Sequence, residues 1–208
     1  MGVSDSTRAH TRGLLLLLFV VAAHVPAAGA HSLEVGGGIH IPFASQERSV
    51  YGTATAWSFG FTTPLSSDLT RTDVRLMLDV TYSSASGNRV PSDPTFDTPS
   101  ERYWFLPIVV GVRTNFVRSE LQEFVGLFGG VGFASVLSGY RDFNGQTQST
   151  ASVGGLVELR PEFTLSEALS IWIRQRIVFI REMEFNGTVP DLNFNGATLQ
   201  LGLSYKLR

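Results

Sequence analysis

The chain ends ATLQLGLSYKLR, with apolar side chains at Leu199, Leu201, Leu203, Tyr205 and Leu207 and small or polar ones at Gln200, Gly202, Ser204 and Lys206 between them. Two-residue alternation of this kind sends one row of side chains to each face of a β-strand. The same period recurs through residues 31–208, punctuated by clusters of Gly, Pro, Ser, Asn and Asp, while apolar spacing of three and four residues is scarce. It predicts an all-β fold with eight strands, at about 32–43, 51–62, 71–83, 101–117, 121–137, 149–165, 169–183 and 195–207.

The two rows of each strand differ in kind. In strand three Val74, Leu76, Leu78, Val80 and Tyr82 oppose Asp73, Arg75, Met77, Asp79 and Thr81. Strand four sets Trp104, Leu106, Ile108, Val110, Val112 and Phe116 against Tyr103, Phe105, Pro107, Gly111, Arg113 and Asn115. Strand six has Val157, Leu159 and Phe163 against Glu158, Arg160 and Glu162, and strand seven has Ile171, Ile173, Ile177 and Phe179 against Trp172, Arg174 and Arg176. The polar rows also contain Glu34, Glu182 and Lys206, and they are rich in small residues such as Gly36, Gly38, Ser58, Gly60, Gly126, Gly130 and Gly132. A water-exposed face favours Lys and Glu over glycine. Small residues beside large charged ones suit a narrow interior that side chains must fill. Acids and bases in matched number meet the requirement that buried charges be paired.

The expected fold is therefore an eight-stranded antiparallel up-and-down transmembrane β-barrel with its apolar face toward lipid. A soluble barrel, with the faces exchanged, is the structural alternative. Gaps after strands one, three, five and seven read as loops, whereas VRSE and SEAL at the other end are tight turns, although TPLSSDLT there is about as long as the first of the loops. That asymmetry, with an even strand number, fits a barrel of the outer membrane. Trp57, Trp104 and Tyr205 are candidates for aromatic girdles. The last strand is expected to close the ring against the first, SLEVGGGIHIPF, because no strand edge is left unpaired in a bilayer.

The front of the chain carries Arg8 and Arg12, an apolar run at 13–23, Pro26, and Ala28 and Ala30 spaced for cleavage. This is the pattern of a secretory signal peptide over residues 1–30, cleaved near Ala30, ahead of a barrel domain over 31–208. The apolar run is too short for a spanning helix, which needs about 20 residues. The chain has no cysteine, which excludes disulfides and thiolate metal sites. A net charge of −2 offers no basic excess for nucleic acid.

Chemistry finds few candidates. Beyond residue 30 the only histidines are His31 and His40, with Ser58 on the neighbouring strand the one conceivable nucleophile for His40. His40 is expected to be a lumen histidine hydrogen-bonded within the charged interior. Asp93, Asp97, Asp191, Asn193 and Asn195 are oxygen donors of the type calcium takes, but scattered in loops they read as solvated turns. No metal, cofactor or enzymatic activity is expected.

The stretch FLPIVVGVRTNF followed by EFVGLFGGVGFASV resembles the central hairpin of OmpA/OmpX-like small outer-membrane barrels, and LQLGLSYKL is similar to the C-terminal signal of that family. Here the apolar series Leu199, Leu201, Leu203, Tyr205 and Leu207 is followed by Arg208 instead of ending on a final aromatic residue. The resemblance covers nearly all of 31–208 and implies a Gram-negative outer membrane, its lipids and the barrel-assembly machinery as partners. The expected function is a structural or surface-interaction protein with a plugged lumen. In that lumen Asp73, Arg75, Asp79, Arg113, Glu158, Arg160, Glu162, Arg174 and Arg176 form a charge network. Its loops would meet an extracellular ligand through Pro91, Pro94, Phe96 and Pro99, or through Phe185, Val189, Leu192 and Phe194. A narrow passive channel and a lipid A-modifying enzyme are the alternatives.

Overall fold

A computed structural model of the chain describes residues 31–65, 73–87, 101–117, 121, 124–142, 144–180, 193 and 195–207. The signal segment 1–30, Asp93, Asp97, Glu182, Asp191, and the loop residues Pro91, Pro94, Phe96, Pro99, Phe185, Val189, Leu192 and Phe194 lie outside the described residues. The strands are β1 (His31–Pro42), β2 (Ala54–Pro64), β3 (Val74–Gly87), β4 (Glu101–Asn115), β5 (Val125–Arg141), β6 (Thr147–Thr164), β7 (Leu169–Ile180) and β8 (Gly196–Leu207). They pair in chain order, each antiparallel to the next, and close into a barrel. The seam is complete, since β1 and β8 are in register from His31↔Leu207 to Pro42↔Gly196.

Alternation assigns the faces as expected. Val35, Phe59, Val131, Leu159, Ile173 and Leu201 are exposed, while Asp79, Arg113, Glu158, Arg160, Arg174 and Arg176 on the opposite rows are buried. Leu199, Leu201, Leu203 and Tyr205 all point outward. Of the aromatic girdle candidates, Tyr205 sits two residues from the end of β8 and Trp104 three from the start of β4. Trp57 pairs with Gly37 at the middle of β1 and lies over it, so it covers a bare stretch of wall away from either rim.

Three expectations change. The first gap, read as a plain loop, contains a short helix α1 (Ser45–Tyr51), and β2 starts at Ala54 because Tyr51 belongs to that helix. The seven-residue helix is too short to show a repeat, and Gly52, at φ 63°, turns the chain out of it into β2. The gap after strand five, also read as a loop, is a tight hairpin of the five residues 142–146, because β5 and β6 stay paired as far as Arg141↔Thr147. Asp142 holds the turn by accepting from the Gln146 and Gly145 N–H groups, and Gly145 supplies φ 79°. At the opposite end β5 begins at Val125 instead of 121, where the Asn115 carboxamide oxygen accepts from the N–H groups of Val117 and Leu127.

Two prolines mark breaks in the ladders. The β3–β4 register stops at Val80↔Ile108 and resumes at Ser83↔Phe105, beside Pro107. The β6–β7 register stops at Leu159↔Gln175 and resumes at Glu162↔Trp172, beside Pro161. Proline has no N–H to donate, so each ring interrupts one ladder while the other side of its strand stays paired.

Glycine sets the approach of the seam strands. A β-carbon at Gly38 would collide with the Leu199 carbonyl oxygen and lie 2.7 Å from Gln200 Cα, both backbone atoms of β8. Gly38→Val should therefore push β1 off β8 and cost about 1–3 kcal/mol, read as an earlier urea midpoint of the barrel in lipid vesicles. An unchanged midpoint would show that the seam is not under that constraint.

Candidate functional site

The distinctive chemistry is inside the barrel. Glu34 of β1 accepts from Arg113 on β4, from Arg160 Nη1 on β6 at 2.5 Å and from the Thr62 hydroxyl at 3.3 Å. Arg160 also donates to Glu162 at 2.8 Å. From Arg113 the chain of charges continues to Glu158 at 3.8 Å, and Glu158 accepts from Arg176 at 2.8 Å. Asp79 is shared by Arg176 and Arg174, each at 2.7 Å, and the Thr81 hydroxyl donates to it at 2.8 Å. Arg174 finally donates from two nitrogens to the Gln200 carbonyl oxygen.

These contacts make one continuous network running from Glu162 to Gln200 and drawing on β1, β2, β3, β4, β6, β7 and β8. Each guanidinium meets a carboxylate, and the four acids match the four bases. Trp172, fully buried, lies between Arg160 and Arg174, whose guanidinium carbons are 4.7 and 4.9 Å from its ring. The indole fits there because Gly36 and Gly202 have no side chains beneath it. Asp73 and Arg75 form a separate local pair at 2.6 Å, joined to the network, among the described residues, through the Phe128 ring, over which Arg75 and Arg113 both sit. Lys206, at the strand end, is half-buried.

The sequence places the charges but not their neutral partners. Gln200, Thr62 and Thr81 complete the coordination of Arg174, Glu34 and Asp79, and only their presence on inward rows pointed to them. Nor did it place the apolar half of the lumen. Toward the end opposite the termini Phe105, Val109, Val136, Leu156, Val178 and Ile180 pack together. Helix α1 covers them: Tyr51 is buried, donates to Glu101 at 3.1 Å and meets Tyr103 edge-on at 4.7 Å. Glu47 of the same helix accepts from the Asn193 N–H at 3.0 Å.

His40 is fully buried at the edge of this apolar region, hydrogen-bonded through Nδ1 to the Thr198 hydroxyl at 3.0 Å and edge-on to Phe105 at 4.8 Å. It is paired with Ala54, whereas Ser58 is paired with Gly36. Four residues of strand, about 13 Å, separate the two, so the candidate base and nucleophile do not meet. Among the described residues no group of three His, Cys, Asp or Glu side chains converges to hold a metal ion. The Asn193 and Asn195 carboxamides are engaged by backbone N–H groups of Asn195 and Ile180.

Removing one member should be costly. Asp79→Ala leaves Arg174 and Arg176 without the carboxylate they share, and a buried pair broken in this way loses about 3–5 kcal/mol. The expected reading is a lower urea midpoint in vesicles, partly restored by adding Arg174→Ala. A variant as stable as the parent would mean that water enters the lumen and takes over the carboxylate's role.

The sequence matches the outer membrane protein beta-barrel domain family over residues 13–206. No curated protein matches it in sequence. Among solved structures it is similar to the outer membrane protein OprG from Pseudomonas aeruginosa, with a TM-score of 0.58 and 13% identity over 86% of this chain and 96% of that one. Neisserial surface protein A gives a TM-score of 0.56 and 15% identity over 86% and 99%. A major outer membrane protein from Thermus thermophilus gives 0.50 and 13% over 86% and 99%. At such identities the likeness is one of fold. The closed ring, its outward apolar rows and the sequence match over nearly the whole barrel make this chain a member of the outer membrane protein beta-barrel domain family, a barrel of the outer membrane.

Proposed function

We propose that the protein is a plugged outer-membrane barrel whose work is done at its outer surface, as a structural or interaction protein and not as an enzyme or an open pore. The filled interior carries this reading. An ion-paired layer around Trp172 occupies one half of the lumen and an apolar layer capped by α1 the other. A water-filled passage would require both layers to open, and an eight-stranded barrel has room for little beyond its own side chains. The separation of His40 from Ser58 supports a non-enzymatic role.

On this reading the chain is exported, cleaved after Ala30 and inserted by the barrel-assembly machinery through its C-terminal strand, with outer-membrane lipids around it. It meets an extracellular ligand through Pro91, Pro94, Phe96 and Pro99, along with Phe185, Val189, Leu192 and Phe194, and nucleic acid is not a partner. That one barrel of similar fold bears the name of a surface protein agrees with this placement. Planar-bilayer recordings of the purified full chain test it. The expected record has no large, steady open-channel steps. Reproducible steps that persist across preparations would favour the passive channel instead.

A further inference from the structure

The arginines of the described strands divide by face. Arg75, Arg113, Arg160, Arg174 and Arg176 point into the lumen, and each is ion-paired there. Arg102 and Arg141 point outward and are exposed, each beside a buried tyrosine, Tyr103 or Tyr140, of the inward row. They stand directly opposite each other across the β4–β5 ladder, at the end of the barrel away from the termini. Side chains so placed hold their β-carbons about 5 Å apart, and like charges at that spacing repel. Among the described residues no carboxylate is ion-paired with either guanidinium. The next strands add hydroxyls at the same level: Ser86 of β3 faces Arg102 and Thr147 of β6 faces Arg141, both exposed.

This level lies just beyond the hydrocarbon. Trp104, two residues along β4 from Arg102, lies over Gly139, and Phe116, just past the far end of β4, lies over Gly129. The chain from Trp104 to Phe116 covers about 40 Å of strand. At the tilt of a spanning strand that is about 30 Å across the membrane, the thickness of a hydrocarbon core. Rings at its two ends suit the two interfaces. Arg102 and Arg141 therefore sit at headgroup depth. Arg141 reaches outward over the hairpin turn, with Nη2 3.5 Å from where a β-carbon would stand on Gly145, and so carries its charge away from the tails.

Two uncompensated guanidiniums at this depth call for an anion with several acceptor oxygens. Phosphate fits, because each guanidinium fork donates to two oxygens at once, and a phosphate monoester brings close to two negative charges for the two cations. We infer that the outward rim of β3–β6 binds the phosphate monoester of a membrane lipid headgroup through Arg102 and Arg141. Ser86 and Thr147 donate from its flanks, and the lipid's tails descend past Trp104 along the apolar outward rows.

Phosphatidic acid carries such a headgroup and is the probe. With the full chain purified in detergent, native mass spectrometry should find phosphatidic acid retained in preference to phosphatidylcholine. The double variant Arg102→Gln/Arg141→Gln should retain it about tenfold less, the scale of lost charged hydrogen bonds, and either single variant should show an intermediate loss. Both kinds should keep the boiling-dependent gel mobility that marks a folded barrel. Arg48→Gln, which removes another exposed cation at the same end, should behave like the parent. Millimolar inorganic phosphate should not displace the lipid, because it has no tails to hold it. In vesicles of phosphatidylcholine alone the double variant should have a urea midpoint no lower than the parent's, since nothing there relieves the repulsion it removes. Equal retention by parent and double variant, an equal loss in Arg48→Gln, or displacement by inorganic phosphate would each overturn the proposal. So would a photo-cross-linker at position 102 that, in whole outer membranes, captures an acidic protein and no lipid.

Discussion

Closure of the ring between β1 and β8 is the contact on which everything else depends. In hydrocarbon an unpaired strand edge leaves N–H and C=O groups with nothing to bond, and a ring is the one sheet without edges. Its twelve-residue seam needs the two terminal strands to approach closely, and Gly38 and Gly202 have no side chains to obstruct it. Once closed, the ring leaves each side chain only two destinations, lipid or lumen. The alternation visible in the final dozen residues is the imprint of that choice.

The lumen follows from the same constraint. Eight strands enclose a space too narrow for bulk water, so whatever faces inward must satisfy itself. Charges on the inward rows do so by sharing partners: Asp79 serves two arginines, Glu34 serves two more, and Glu158 links the groups. A network of this kind is a poor source of net stability, because desolvation offsets much of the Coulomb gain. Its effect is on specificity, since a strand slipped by one residue would send these charges into lipid and the apolar row into the lumen.

Much of this was legible in the residues themselves. The rows of β3, β4, β6 and β7, their inward and outward senses and the eight-strand number follow from period-two alternation. What alternation cannot show is who meets whom. Glu34 and Arg160 stand 126 positions apart, and their contact depends on the barrel's stagger, which no local pattern records. Helix α1 was hidden because seven residues are too few for a helical period and are held by the burial of Tyr51. The β5–β6 hairpin was hidden because Ser, Gly and Asn around 138–145 resemble loop composition, although β5 continues as far as Arg141. Trp57 was misplaced for the same reason as Glu34: it stands near one end of its own strand but beside the middle of β1.

The closed, membrane-embedded ring is tested most directly by comparing the gel mobility of the outer-membrane-extracted chain in detergent with and without boiling. Two mobilities are expected, because a sealed ladder resists detergent until heat opens it. A chain recovered in the soluble periplasm, with one mobility under both conditions, would contradict it and require the apolar rows to face inward.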